Sequence, residues 1–207
     1  MLKLVIGDRN YSSWSLRPWL AIKMAGLPFR EVPIRLREAS SKAEIYKYSP
    51  SGKVPCLIDG KTVVWDSLAI CEYLAEAVPE LWPANRAARA EARAISAEMH
   101  SGFAALRHSM PMEIHASKPF DNRPADVVAD VARIVAIWER CRAKHAGAGP
   151  FLFGAFSIAD AMFAPVVWRF LTYAVELPPA SRAWVDTMCA LPPMQEWRAA
   201  ALAETSA

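Results

Sequence analysis

SGKVPCLIDGKTVVWDSLAICEYLAEAV, residues 51–78, decides the architecture. Two apolar runs, Pro55 to Ile58 and Thr62 to Trp65, flank Asp59-Gly60-Lys61. An Asp-Gly step between apolar runs marks a β-hairpin, because glycine takes the positive φ that tight hairpin turns demand. From Ser67 to Val78 the residues Leu68, Cys71, Leu74, Ala75 and Val78 recur at helical spacing, which predicts a helix with one buried side. The order is strand, strand, helix, entered through Gly52-Lys53-Val54-Pro55 and turning at Asp66-Ser67.

Upstream, Lys3 to Ile6 is a short apolar run stopped by Gly7-Asp8, the pattern of a buried strand. Ser13 to Met24 has helical spacing and ends before Gly26. Glu31 to Leu36 reads as a second strand, with Pro33 marking an edge or a strand start, and Ser40 to Tyr48 is weakly helical. The result is a βαβ–ββα unit, a small α/β sheet layered with helices. Downstream the period is helical throughout. PELWPAN (79–85) reads as a linker. Ala87 to Ile114 reads as one long helix with a break at Pro111. Ala125 to His145 is a second, with Val128, Val131, Ile134, Val135 and Trp138 on its apolar side. A glycine-rich turn, 147–154, precedes Ser157 to Tyr173, which is hydrophobic nearly all round and so expected to be buried. Pro178-Pro179 and Pro192-Pro193 fence two terminal helices. The expected fold class is α/β plus all-α: an N-terminal domain over 1–78, a linker over 79–86 and an all-helical domain over 87–207.

Hydrophobic residues make up 54% of the 207, enough for a substantial core and too many for a disordered chain. The 24 Lys+Arg against 21 Asp+Glu leave +3, too small an excess for a nucleic-acid footprint. No apolar run is long enough to cross a bilayer and the N-terminus lacks the pattern of a signal peptide, so a membrane partner is not expected. Cys56, Cys71, Cys141 and Cys189 are widely spaced, without CxxC or a Cys/His cluster. The expectation is a reduced cytoplasmic protein with no disulfide and no metal.

Three groups carry chemistry. Ser12-Ser13-Trp14-Ser15 stands where the first strand meets the first helix. A thiol has a pKa near ~8.5, and each unit of depression takes about 1.4 kcal/mol. A hydroxyl at a helix N-terminus supplies part of that; the plain structural reading of the same serines is helix capping. Pro18 implies either an irregular first turn or a cap at Ser15. Val54-Pro55 permits a cis peptide, which would turn the Val54 backbone outward to pair with an extended peptide ligand; the plain reading is a trans proline opening an edge strand. Asp66-Ser67 caps the next helix. The same geometry binds an α-amino acid head, its carboxylate at the helix N-terminus and Ser67, its ammonium at Asp66.

In this order the motifs resemble the thioredoxin-like half of a cytosolic glutathione transferase, and the resemblance covers essentially the whole chain. SSWSLRPWLAIKMAG is similar to the SSCSWRVRIALxLKG pattern of the zeta class, which includes maleylacetoacetate isomerases, with Trp14 in place of the cysteine. SPSGKVPCL resembles the NPxGKVPxL loop with its cis-proline, and WDSLAICEYL resembles the (E/D)SxAIxxYL segment. SIAD at Ser157 to Asp160 has the form of the S/T-x-x-D capping box of the helical domain. A bacterial, serine-type member is thereby implied. Ser12 or Ser13 would contact the thiol of glutathione, the co-substrate, which Trp14, Lys53, Val54, Pro55, Asp66 and Ser67 would bind. Lys47 and Arg37 are alternatives to Lys53 for the glycine carboxylate.

The resemblance further implies a two-fold homodimer and a hydrophobic electrophile held between the domains by Trp14, Phe103, Arg107, Met110 and Met112. Core packing is the competing reading of each of these residues, most strongly of the methionines, and a surface pairing with Glu98 or Glu113 is a further one for Arg107. His100, His108 and His115 read as solvated. The expected activity is serine-assisted attack of the glutathione thiolate on that electrophile. The alternatives are glutathione-dependent isomerisation of the maleylacetoacetate type and a non-catalytic glutathione-binding module.

Overall fold

The computed structural model describes residues 1–204, so the last three residues of the expected 87–207 domain lie outside the described residues. Strands β1 (Leu2–Ile6), β2 (Phe29–Pro33), β3 (Cys56–Asp59) and β4 (Thr62–Trp65) form one sheet in the order β2-β1-β3-β4. β1 runs parallel to β2 across the crossover helix α1 (Ser13–Met24); the other pairs are antiparallel. The alternation of side chains along β1 splits the interior in two. Leu4 and Ile6 join the main core, while Val5 joins Ile34, Ile45 and Cys56 beneath the short helix α2 (Ser41–Tyr46). α3 (Ser67–Ala77) packs beside α1 and follows the hairpin, whose ladder closes at Asp59 opposite Thr62.

β2 begins and ends earlier than its expected Glu31–Leu36 span, because parallel pairing sets its register: Leu2 lies opposite Phe29 and Ile6 opposite Pro33. Pro33 closes an edge strand instead of opening one. Beyond it, the Leu36 N–H turns to donate to Asp8 Oδ2 at 2.7 Å.

The remaining elements are helical: α4 (Arg86–Ser101), α5 (Ala104–Ser109), α6 (Ala125–His145), α7 (Ile158–Thr172), α8 (Pro179–Ala190) and α9 (Pro192–Glu204). The helix expected over Ala87 to Ile114 breaks at Gly102-Phe103, not at Pro111. Phe103 takes a left-handed conformation, φ 62°, and buries its ring. The guanidinium of Arg107 accounts for the break. It donates to the carbonyls of Met99 and Gly102, acceptors that a terminating helix leaves orphaned. The buried face of α6 is Val127, Ile134, Ile137, Trp138 and Cys141; Val128, expected on it, is exposed, and Val131 and Val135 border it.

α7 is buried almost all round, as expected, and packs against both α1 and α4. Its first turn is fixed by Asp160, a fully buried carboxylate. Asp160 accepts from the N–H of Ser157 (2.9 Å), the Ser157 hydroxyl (3.0 Å), the N–H of Leu152 (2.9 Å) and the Trp184 indole (2.9 Å). Trp138 meets Phe163 edge-on and lies tilted against Phe170 and Trp184.

The turn before α7 is closed by backbone. At Gly149 (φ 139°) a Cβ would stand 2.4 Å from the carbonyl oxygen of Gly154, which cannot yield as a side chain could. Gly149→Ala is therefore expected to cost about 2 kcal/mol or more, read as a lowered thermal midpoint; an unchanged midpoint would contradict the fit.

Candidate functional site

α1 starts at Ser13 with Ser12 as its N-cap, so the cap is not Ser15, and Pro18 lies inside the helix. The first turn is irregular: both Ser15 N–H and Leu16 N–H approach the Ser12 carbonyl, at 3.1 and 3.2 Å. The Ser12 hydroxyl does not cap. It donates to Ser15 Oγ at 2.7 Å, which also accepts from Gly7 N–H at 3.1 Å. Ser13 Oγ accepts from Arg169 Nη2 of α7 at 3.3 Å, leaving the Ser13 proton available to another partner. Both serines are buried.

The next residue, Trp14, opens onto a cavity of about 680 Å³. Lys53, Val54, Pro55, Asp66 and Ser67 line the same space, so three separated segments converge there. The Val54-Pro55 peptide is cis. Asp66 has φ 79°, in the left-handed region, where the short polar side chain helps by bonding locally. Its Oδ1 accepts from the N–H groups of Leu68 (2.9 Å) and Ala69 (3.2 Å), capping α3, while Oδ2 stands beside His100 of α4. Of the basic candidates for a glycine carboxylate, only Lys53 lines the cavity. Lys47 pairs with Glu44, and Arg37 stacks on Tyr11, 4.1 Å from the ring centroid.

Three lining residues were not among the expected ones: Ser51, Trp65 and His100. His100, read as solvated, comes from α4 with Nε2 3.2 Å from Asp66 Oδ2 and its ring edge-on to Trp14. Burial pushes its pKa below 6.5; Asp66 opposes the shift, and Arg17 and Arg107 reinforce it. The buried face of α4 (Ala92, Ile95, Ser96 and Met99) was the available signal, since His100 borders it. His108 is exposed, as expected, whereas His115 is half-buried with its N–H on Asn10 Oδ1.

The residues expected to meet a second substrate are divided. Phe103, Met110 and Met112 are buried in the core and do not line the cavity; the competing reading, core packing, describes them. Arg107 pairs with neither Glu98, which binds Arg133, nor Glu113, which binds Lys118. Instead its guanidinium lies over Trp14, 4.7 Å from the ring centroid. Arg17, fully buried, lies over the same ring at 4.3 Å, and its Nη1 is 3.5 Å from Ser67 Oγ.

Among the described residues no group of His, Cys, Asp or Glu could hold a metal ion, and no helix is long and apolar enough to cross a membrane.

This geometry has relatives. The chain is 41% identical over 79 residues to "Glutathione S-transferase zeta class" of Euphorbia esula, covering 38% of this chain and 35% of that one. It is 39% identical over 106 residues to "Maleylacetoacetate isomerase" of Mus musculus, 48% of each. The chain thus spans about half the length, or less, of the curated relatives it matches. A glutathione transferase homolog from Burkholderia, crystallised with bound glutathione, superposes with TM-score 0.73 at 23% identity over 98% of both chains, a likeness of fold. The family models described as "Glutathione S-transferase, N-terminal domain" and "Glutathione S-transferase, C-terminal domain" match residues 11–77 and 86–200. With both models matched in order and covering most of its length, the chain belongs to the glutathione S-transferase family, and its likeness within that family is to the zeta class.

Proposed function

We propose that this chain binds glutathione in the Trp14–Asp66 cavity and, as a transferase, directs its thiolate onto a hydrophobic electrophile. One observation carries the reading. Trp14, the cis Val54-Pro55 turn and the Asp66-Ser67 cap line a single cavity although they lie on three separate segments. The Ser67 hydroxyl and the α3 N-terminus suit the α-carboxylate of the γ-glutamyl end, and Asp66 its ammonium. The Val54 backbone suits the cysteinyl peptide, and Lys53 the glycine carboxylate. Ser12 or Ser13, buried at the head of α1 next to Trp14 and outside the residues that line the cavity, would offer its hydroxyl to the sulfur. The electrophile would lie against Trp14 on the α4 side. Residues 1–78 would serve as the glutathione-binding domain, 79–86 as linker and 87–207 as the helical domain, in a cytoplasmic homodimer with no resident metal.

Glutathione-dependent isomerisation is the second reading, favoured by relatives named maleylacetoacetate isomerase. Trp14 in place of the zeta-pattern cysteine weighs against it. Turnover of a cis-diketo acid, against a panel of alkyl and aryl electrophiles, separates the two; binding without any turnover would leave a non-catalytic module.

The deciding test is the ultraviolet thiolate absorbance of bound glutathione across pH. The bound thiol is expected to titrate below free glutathione. Ser13→Ala is expected to move the midpoint back up by about one pH unit, because its proton is uncommitted. Ser12→Ala should move it less, since that hydroxyl already donates to Ser15. A wild-type protein that binds glutathione with an unshifted midpoint, or binds none, would sink the transferase reading.

A further inference from the structure

Three arginines gather behind Trp14 with no carboxylate paired to any of them among the described residues. Arg17 comes from α1, Arg107 from α5 and Arg169 from α7. Arg17 is fully buried, and its Nε and Nη2 have no hydrogen-bond partner. Arg169 is also buried, donating to the Met110 carbonyl and to Ser13 Oγ. Arg107 donates to the α4 carbonyls. The groups repel one another. Burial, then Arg107 and Arg169, push the Arg17 pKa well below its ordinary value; burial, then Arg107, bring Arg169 down to about 10. The opposite or titratable groups that act on the cluster are Asp66 and Cys71 on the α3 side, His100 from α4, Asp130 of α6, which opposes the burial of Arg107, and Tyr173 after α7, which opposes that of Arg169.

An unpaired buried charge is costly, and an apolar side chain of the same volume would normally be the more stable choice. Such a cost marks a site where local structure serves something other than folding. The cluster is placed to serve the head of α1. Arg169 touches Ser13, and Arg17 and Arg107 both lie over the ring of Trp14. Arg17 also reaches Ser67, the cavity's other pole. Any negative charge held in the cavity beside Trp14 sits in the field of all three, in surroundings that screen them little.

Resting on the glutathione reading above, we infer that Arg17 and Arg169 supply most of the electrostatic stabilisation that keeps the bound sulfur as thiolate, with Ser13 relaying part of it. The thiol loses its proton to solvent; neither arginine exchanges one. Both act through the field and through Ser13 and Trp14, so they are positioning residues and not ligand contacts. Their charge is balanced when the ligand ionises, which explains a cluster left without a carboxylate of its own.

The test uses the full chain and two ligands: glutathione, whose bound thiol is titrated by absorbance, and S-methylglutathione, which has no thiol proton. Arg17→Met and Arg169→Met are each expected to raise the bound thiol's midpoint by about one pH unit, a tenfold loss of thiolate at a given pH below it. Affinity for S-methylglutathione should stay within about twofold in Arg169→Met, while Arg17→Met, whose Nη1 neighbours the Ser67 hydroxyl proposed to hold a carboxylate, should also lose a few-fold in affinity. Arg169→Lys, which keeps the charge, should retain most of the shift. Arg17→Met should also raise the melting temperature, because it removes an uncompensated buried charge. Midpoints unchanged from wild type would overturn the inference while leaving the glutathione reading intact. So would S-methylglutathione affinity falling in step with the midpoint in Arg169→Met, since that is the mark of a damaged pocket. Failure of the wild type to bind glutathione would overturn the reading and the inference together.

Discussion

Replacing Asp66 with asparagine is expected to weaken glutathione binding about thirtyfold while leaving the fold almost as stable as wild type. On the proposed reading the carboxylate divides its work: Oδ1 caps the helix, and Oδ2, which lies 3.2 Å from His100 Nε2, presents negative charge to the ligand's ammonium. Oδ1 caps α3 through Leu68 and Ala69, and an asparagine carbonyl can do the same. Asparagine also tolerates the positive φ at this position. The negative charge offered to an ammonium is lost, and for a half-exposed pair that loss is worth about 2 kcal/mol, near the low end for charged pairs at binding sites. Asp66→Ala should show the same loss of affinity and a further stability cost of about 1 kcal/mol from the missing cap. Calorimetric titration with glutathione and thermal melting of the two variants separate the roles. Full affinity in the asparagine variant would remove Asp66 from the ligand site and leave it a cap.

The largest effect on stability is expected at Asp160. Asp160→Ala strands two backbone N–H groups, a hydroxyl and an indole N–H in a place water does not reach. Each unsatisfied donor costs about 1–3 kcal/mol, and the hydroxyl can turn elsewhere, so a loss of about 4 kcal/mol is expected. For a chain of this size that lowers the melting temperature by roughly 10 °C. Ser157→Ala, which removes one partner from the same box, should cost only about 1 kcal/mol.

Burial pushes the Asp160 carboxyl above its ordinary value, against the pull of its four donors. A carboxyl raised by folding contributes stability below its unfolded pKa, about 3.9, and that contribution is lost as pH rises through the folded value. The deficit of the alanine variant should therefore be larger at acid pH than at neutral pH. A deficit under about 1 kcal/mol, or one that grows as pH rises, would contradict this account of the box.

Much of the fold could be read locally. The Asp-Gly hairpin, the helix over Ala125–His145 and the buried helix behind SIAD each carry their signal within a short window. The misplacements share a cause, which is tertiary partners overriding local pattern. β2 takes its register from β1, and the α4–α5 break is held by Arg107 reaching back to two carbonyls. The cavity was legible in part. Trp14, Val54-Pro55 and Asp66-Ser67 each sit at a junction whose local chemistry is visible in sequence. Arg107 was expected beside Trp14 and lies over its ring, whereas His100, Arg17 and Arg169 were not legible. Their significance depends on approach from far along the chain, as with Arg169 and Ser13, 156 residues apart. Arg17, inside a helix buried on several sides, gives no sign in sequence that its charge goes unpaired.

α7 lies against both α1 and α4, and its Arg169 reaches the hydroxyl of Ser13. Inheritance of the site is therefore divided. The residues proposed to hold the ligand's backbone descend with the N-terminal segment, while two of the three charges around the head of α1 descend with the C-terminal one. On the proposed roles, a hybrid made by exchanging halves with a relative would keep one parent's grip on the tripeptide together with its Ser13 and Arg17, and take Arg107 and Arg169 from the other. If those roles hold, divergence in the helical half alone would retune reactivity with no change in any residue that lines the N-terminal side of the cavity.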